Sequence, residues 1–131
     1  MSRVVKLVVA STVASVGFVA AATAATPVKN GVYADGATGV IVGVHATNSI
    51  HAFNVTCHKR TWVAQQFITI TSRGAFSYNG ADFLAKNGRR TSTTGTMTAS
   101  GRFKTSRLIV GRFSAGGCSG RFSATFSYSV R

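Results

Sequence analysis

Two carboxylic side chains, Asp35 and Asp82, are all that the 131-residue chain offers for carboxylate chemistry. A glycosidase built on paired carboxylates needs both at one bond. Each aspartate instead sits in a turn-like context, Asp35-Gly36 and Asn79-Gly80-Ala81-Asp82, where its side chain is suited to capping backbone N–H groups. The histidines, His45, His51 and His58, are spaced by six and seven residues and match no common metal motif. A histidine pair with a basic neighbour can cleave RNA by general acid–base catalysis, but no such constellation can be assembled from these positions. Serines are numerous, yet no G-x-S-x-G elbow is present. The two cysteines, Cys57 and Cys118, do not form a CxxC pair, which argues against a metal site. The expectation is a non-enzymatic protein with no catalytic residues, no metal and no cofactor.

Positive charge dominates what remains. Fifteen Lys and Arg face two acids, a formal charge of +13. That excess cannot be neutralised internally, so the surface potential is positive and polyanions are attracted at low ionic strength. Arg102, Lys104, Arg107, Arg112 and Arg121 cluster in the last third of the chain and are the expected polyanion-binding set. Lys86, Arg89 and Arg90 form a second group, and Lys59-Arg60 a third. The plainer reading of the same residues is a generally cationic, well-solvated surface.

The N-terminus sets the expected compartment. MSRVVK carries Arg3 and Lys6, and an apolar run from Leu7 to Ala22 follows, broken by Ser11, Thr12, Ser15 and Gly17. It ends on Ala22-Thr23-Ala24-Ala25 before Thr26-Pro27. This is the n-region, h-region and small-residue cleavage site of a secretory signal peptide; the alternatives are a retained membrane anchor, which needs about 20 predominantly apolar residues, or a soluble helix. The expected organisation is a signal peptide over 1–25, cut after Ala24 or Ala25, and one basic domain over 26–131, secreted or associated with the cell envelope. Without Arg3 and Lys6 thirteen cations remain against two acids, or +11. Cys57 and Cys118 then read as one disulfide, the staple that small exported domains commonly carry. Free thiols or an intermolecular bridge are the alternative. Closing a loop of about 60 residues removes roughly 4 kcal/mol of unfolded-state entropy on the chain-entropy model.

Short runs of β-branched and aromatic residues, separated by Gly, Asn and Ser, predict the elements that position these side chains. Strands are expected over 31–34, 39–45, 50–57, 66–72, 75–78, 94–99, 107–113 and 120–128. Turns are expected at Asp35-Gly36, Asn48-Ser49, 72–74, Asn79-Gly80 and Ser100-Gly101, with a polar, mobile connection over 87–95. Phe122, Ala124, Phe126 and Tyr128 alternate with Arg121, Ser123, Thr125 and Ser127, which predicts one buried and one wet face. His51 falls on the face of Phe53 and Val55. Trp62 reads as an exposed loop aromatic, able to stack on a sugar, enter a membrane interface or cover one end of the fold. Gly-Arg-Phe recurs at 101–103, 111–113 and 120–122; as structure it puts Gly at strand starts or hairpin corners and Phe in the core, and as function it is an array for stacking bases. No helical crossover is long enough for parallel pairing. The expected fold is all-β: a single antiparallel β-sandwich, or partly closed barrel, of about 7–9 strands with one disulfide.

The order of short motifs also resembles a known set of proteins. Gly31-x-Tyr33 precedes a strand into Cys57; Ile68-x-Ile70 leads to Gly74, Phe76 and Ser77; Gly101-x-Phe103 precedes Val110; Cys118-x-Gly120 opens an aromatic strand with Phe122 and Phe126. This is similar to small exported β-sandwich proteins of actinobacteria and their relatives, most without assigned function. The resemblance implies a compact sandwich with a disulfide and supplies no catalytic residues. The strong basicity departs from that pattern. The expected role is binding of anionic cell-wall polymers, glycans or other polyanions, with cytoplasmic nucleic acid not expected as a partner. The alternative is a secreted effector, either a cationic antimicrobial or a protease inhibitor presenting Lys59-Arg60 or Arg89-Arg90.

Overall fold

Alternation of apolar and polar residues is carried through into nine antiparallel strands in the computed structural model, which describes residues 24–131. Apart from Ala24 and Ala25, the segment read as a signal peptide lies outside the described residues. The strands are β1 (Gly31–Asp35), β2 (Val40–His45), β3 (Ser49–Cys57), β4 (Arg60–Ala64), β5 (Ile68–Thr69), β6 (Ala75–Lys86), β7 (Arg89–Thr105), β8 (Leu108–Ala115) and β9 (Cys118–Ser129). Pairing runs β1–β2–β3–β4–β6–β7–β8–β9 and returns from β9 to β1. Of the two expected arrangements the chain adopts the partly closed barrel. The first half of β6 pairs only with β7, and β5 pairs only with β3, so the wall is split between β5 and β6.

The barrel interior is the core. Val40, Val42 and Val44 of β2, Phe53 and Val55 of β3, and Phe103, Phe113 and Phe122 of the last three strands all point inward and are buried. Phe53 packs edge-on to Phe122 with ring centroids 5.7 Å apart, and lies 6.1 Å from Phe76. Tyr33 is edge-on to Phe103 and Phe126. Its hydroxyl donates to the Ser106 carbonyl at 2.5 Å and accepts from the Val28 N–H at 2.9 Å, which ties the N-terminal segment to the β7–β8 turn. Burial pushes this phenol above its ordinary pKa. The outer faces of β7 and β9 carry mainly Arg, Ser and Thr. Cys57 and Cys118 form the expected disulfide, Cα–Cα 5.9 Å, joining the end of β3 to the start of β9.

Several local expectations are corrected. Asn79-Gly80 makes no turn and lies inside the 12-residue β6. The hairpin is at Asn87-Gly88, whose φ values of 53° and 74° suit a two-residue primed turn. The segment read as a mobile connection is the start of β7, a 17-residue strand that also absorbs the turn expected at Ser100-Gly101. Residues 66–72 contribute only a two-residue strand, although Ile68 and Ile70 are buried as the alternation predicts. Trp62 lies on β4, faces the interior and is 9% exposed.

The Gly-Arg-Phe repeat places Phe103, Phe113 and Phe122 in the core as expected, but two of its glycines have a different reason from the one expected. Gly101 and Gly111 are mid-strand partners, not corners. They sit in one inward-facing row, Phe76–Gly101–Gly111–Phe122. A Cβ on Gly101 would lie 2.9 Å from the Phe76 ring and 2.6 Å from the Val110 carbonyl oxygen; one on Gly111 would lie 2.9 Å from the Phe122 ring. The two phenylalanines therefore occupy the space the glycines leave, and the wall can approach itself closely there.

Two register shifts turn side chains outward. On β3, Ala52 is opposite Gly43 but Ile50 is opposite Val44, so His51 is an extra residue. On β9, Phe126 is opposite Tyr33 but Tyr128 is opposite Val32, with Ser127 extra. A bulge breaks the period of two. Tyr128 therefore leaves the face of Phe122 and Ala124 and is 57% exposed, and His51 leaves the face of Phe53 and Val55. Both differ from the sequence expectation for the same reason.

Candidate functional site: a cationic outer wall

On the outer face of β7, β8 and β9, register rather than proximity in sequence decides which cations meet. Arg112 is directly opposite Arg121, and Ser100 is opposite Arg112 on the other side. Ser77 of β6 completes this row. Arg102 stands one row away, opposite Val110 and Ala75. All three arginines are exposed. Lys104 is exposed at the end of β7, and Arg107, in the β7–β8 turn, places its guanidinium 4.3 Å from the centre of the Phe126 ring. The expected set therefore divides into a wall of Arg102, Arg112 and Arg121 and a hairpin end bearing Lys104 and Arg107.

Two shallow depressions flank Arg112. One, of about 370 Å³, is lined by Ser77, Asn79, Thr98, Ser100 and Arg112. The other, of about 580 Å³, is lined by Arg112, Arg121 and Ser123 together with Asp35, Ala37 and Thr38. Like charges placed directly opposite on a sheet are destabilising by a few tenths of a kcal/mol. An anion lying between the two guanidiniums would remove that repulsion and accept charge-assisted hydrogen bonds.

Asp35 stands at the edge of this wall with its acceptors occupied. One oxygen accepts from the Ala37 N–H and the other from the Ser123 N–H, both at 2.9 Å. Burial raises its pKa, but these backbone donors outweigh burial and hold the carboxyl below its ordinary value. Asp82 is on the other side of the sheet. It faces the barrel interior from β6 and is 0% exposed, and neither oxygen has a well-formed hydrogen bond. The two carboxylates thus occupy opposite faces and do not meet. No family model matches the chain, and neither does any curated protein or solved structure.

The histidines fall into two places. His45 and His51 stack with centroids 4.3 Å apart, and Phe67, 67% exposed, stacks on the other face of His51 at 3.7 Å. Desolvation, then the neighbouring His45, lowers the His51 pKa from its ordinary value. His58 sits with Lys59 in the β3–β4 turn, both at positive φ, and a nitrogen of its ring lies within 4.8 Å of both disulfide sulfurs. Those sulfurs are bonded to each other, so the group offers one free ligand. The basic pairs considered for a protease-inhibiting loop are in ordered hairpins. Lys59-Arg60 closes a two-residue turn paired Cys57 to Arg60, and Arg90 lies in β7 with its guanidinium 4.7 Å from the Phe83 ring centre.

Sequence reasoning found the arginines but missed the outward rings Tyr128, His51 and Phe67. One signal for His51 was available: the buried positions 50, 53 and 55 are not spaced evenly by two. Tyr128 had none, because 122, 124, 126 and 128 keep perfect parity.

Proposed function

We propose that the protein is a non-enzymatic, secreted or envelope-associated domain that binds polyanions through Arg102, Arg112 and Arg121. The observation carrying this reading is the direct register of Arg112 with Arg121 on an exposed wall, in a chain whose two acids are either engaged with backbone N–H groups or buried. Two opposed guanidiniums cost stability unless they are used. Replacing both in the variant Arg112→Ser/Arg121→Ser should shift elution from immobilised heparin to lower salt and flatten the dependence of log K on log salt by roughly one for each arginine removed. The same variant should melt no lower than the wild type, because repulsion has been relieved. Unchanged elution would refute the arginine site.

The expected export supports this class of partner, since wall polymers, acidic glycans, anionic lipid headgroups and free nucleic acid are the polyanions met outside a cell. Ala25 packs against the core, and its carbonyl oxygen approaches Gly74. This supports cleavage after Ala24 over cleavage after Ala25. Intact-mass measurement of the secreted protein should find Ala25 as its first residue; a chain starting at Thr26 would reverse this assignment.

A further inference from the structure

Two of the four register shifts between paired strands lie on the same stretch of outer surface. One turns Tyr128 out beside Val32, and the other turns His51 out beside Ala52. Between them runs the outer row Val32–Gly43–Ala52. Gly43 has no side chain there, and a Cβ would meet only Ala52, the nearest atom being its Cβ at 3.4 Å. The result is a depression of about 320 Å³ with Val32, Gly43 and Ala52 as its floor, His45 and His51 on one side, and Val130 and Arg131 on the other. Bulges re-aim side chains: the one on β3 brings His51 to the rim of this depression, and the one on β9 sets Tyr128 beside Val32, one of the residues that line it.

We infer that this groove binds a sugar ring of an anionic polysaccharide, the same polymer that the arginine wall holds. The inference rests on the polyanion reading and names its ligand class. The floor is small and apolar, suited to the C–H face of a pyranose, and the volume is at the lower end of the range for small-ligand sites. Both faces of His51 are already covered, by His45 and Phe67. No base can stack on His51, which offers the groove only its ring edge, whose nitrogen atoms donate to or accept from hydroxyl groups. Arg131 supplies a cation for an acidic substituent. Arg121 and Tyr128 lie seven residues apart on β9, roughly 20 Å along the strand. A polysaccharide chain running along β9 reaches both, whereas a single small anion reaches one.

The test compares three probes on the folded protein: a size-defined heparin oligosaccharide, inorganic polyphosphate and oligo-dT. Gly43→Leu fills the floor and His51→Ala removes a ring that lines the groove; both sites face outward, and thermal melts verify that each variant is folded. Expected is a fivefold or greater loss of heparin affinity in each, with polyphosphate affinity changed less than twofold. Arg112→Ser/Arg121→Ser should weaken both polymers. Groove variants that leave heparin binding unchanged, or weaken polyphosphate equally, overturn the sugar site while leaving the polyanion reading intact. Oligo-dT losing more affinity than heparin overturns it in favour of nucleic acid. Failure of the wild type to bind either heparin or polyphosphate overturns both readings.

Discussion

Gly111→Ala should lower the melting temperature by more than 10 °C, or prevent accumulation of folded protein, although it adds a single methyl group. The added Cβ would run onto the carbonyl oxygen of Ser100, lie 2.8 Å from the Gly101 Cα and 2.9 Å from the Phe122 ring. Two of these three contacts are backbone, and no rotamer change relieves them. β7 and β8 must separate, or Phe122 must leave the row in which it also packs on Phe53. Overpacking of this kind costs about 1–3 kcal/mol and more when backbone must move. In a domain of this size about 1 kcal/mol corresponds to roughly 4–8 °C. Gly36→Ala is the matched control: nothing lies within 4 Å of its new Cβ, and it should melt within a degree or two of the wild type. Equal melting of the two variants by calorimetry would contradict the account of the Phe–Gly–Gly–Phe row.

Asp82→Asn should stabilise the protein at neutral pH and do nothing at low pH. Burial raises the Asp82 pKa, and the nearby backbone N–H groups of Gly95 and of Asp82 itself offset only part of that effect. A carboxyl with a raised native pKa favours folding when protonated. Its contribution is fully present below the ordinary value of 3.8 and is lost as pH rises through the raised native value. Across that window the variant gains on the wild type at up to about 1.4 kcal/mol per pH unit, and above it the gain is constant. Asp35 has the opposite sign. Its pKa is lowered, so its stabilisation is present above 3.8 and lost as pH falls through the lowered value. Denaturant titrations of both proteins between pH 3 and 8 separate the two groups, because only the Asp82 window lies above 3.8. An Asp82→Asn protein that is less stable than the wild type at pH 7 would mean that the carboxylate has a partner essential to the fold.

Strand content, antiparallel pairing, the disulfide and the inward phenylalanines were legible because each depends on local alternation or on counting. What escaped was set by partners distant in sequence. Asn79-Gly80 and Asn87-Gly88 are the same dipeptide, yet only the second turns; the first is held extended by pairing of β6 with β7 through Asn79↔Thr98 and Gly80↔Met97. Trp62 reads as exposed because it follows His58, Lys59, Arg60 and Thr61, and its indole is covered by the β8–β9 turn, where Gly116 lies against it. Of the candidate site, the arginines could be named but not arranged. That Arg112 meets Arg121 while Arg107 turns away to Phe126 follows from register, and register here depends on bulges and on a glycine row.

The closure of the ring through β1 and β9 has a kinetic consequence. The strand that completes the wall, residues 118–129, also carries one of the two cysteines. Neither the last backbone pairing nor the covalent bridge can form until almost the whole chain is available, and no smaller portion of it encloses the core. The pairing of the first strand with the last spans nearly the whole described chain, and topologies dominated by such long-range contacts fold in milliseconds to seconds. The ring therefore stays open, and the core uncovered on one side, until the strand over 118–129 is in place.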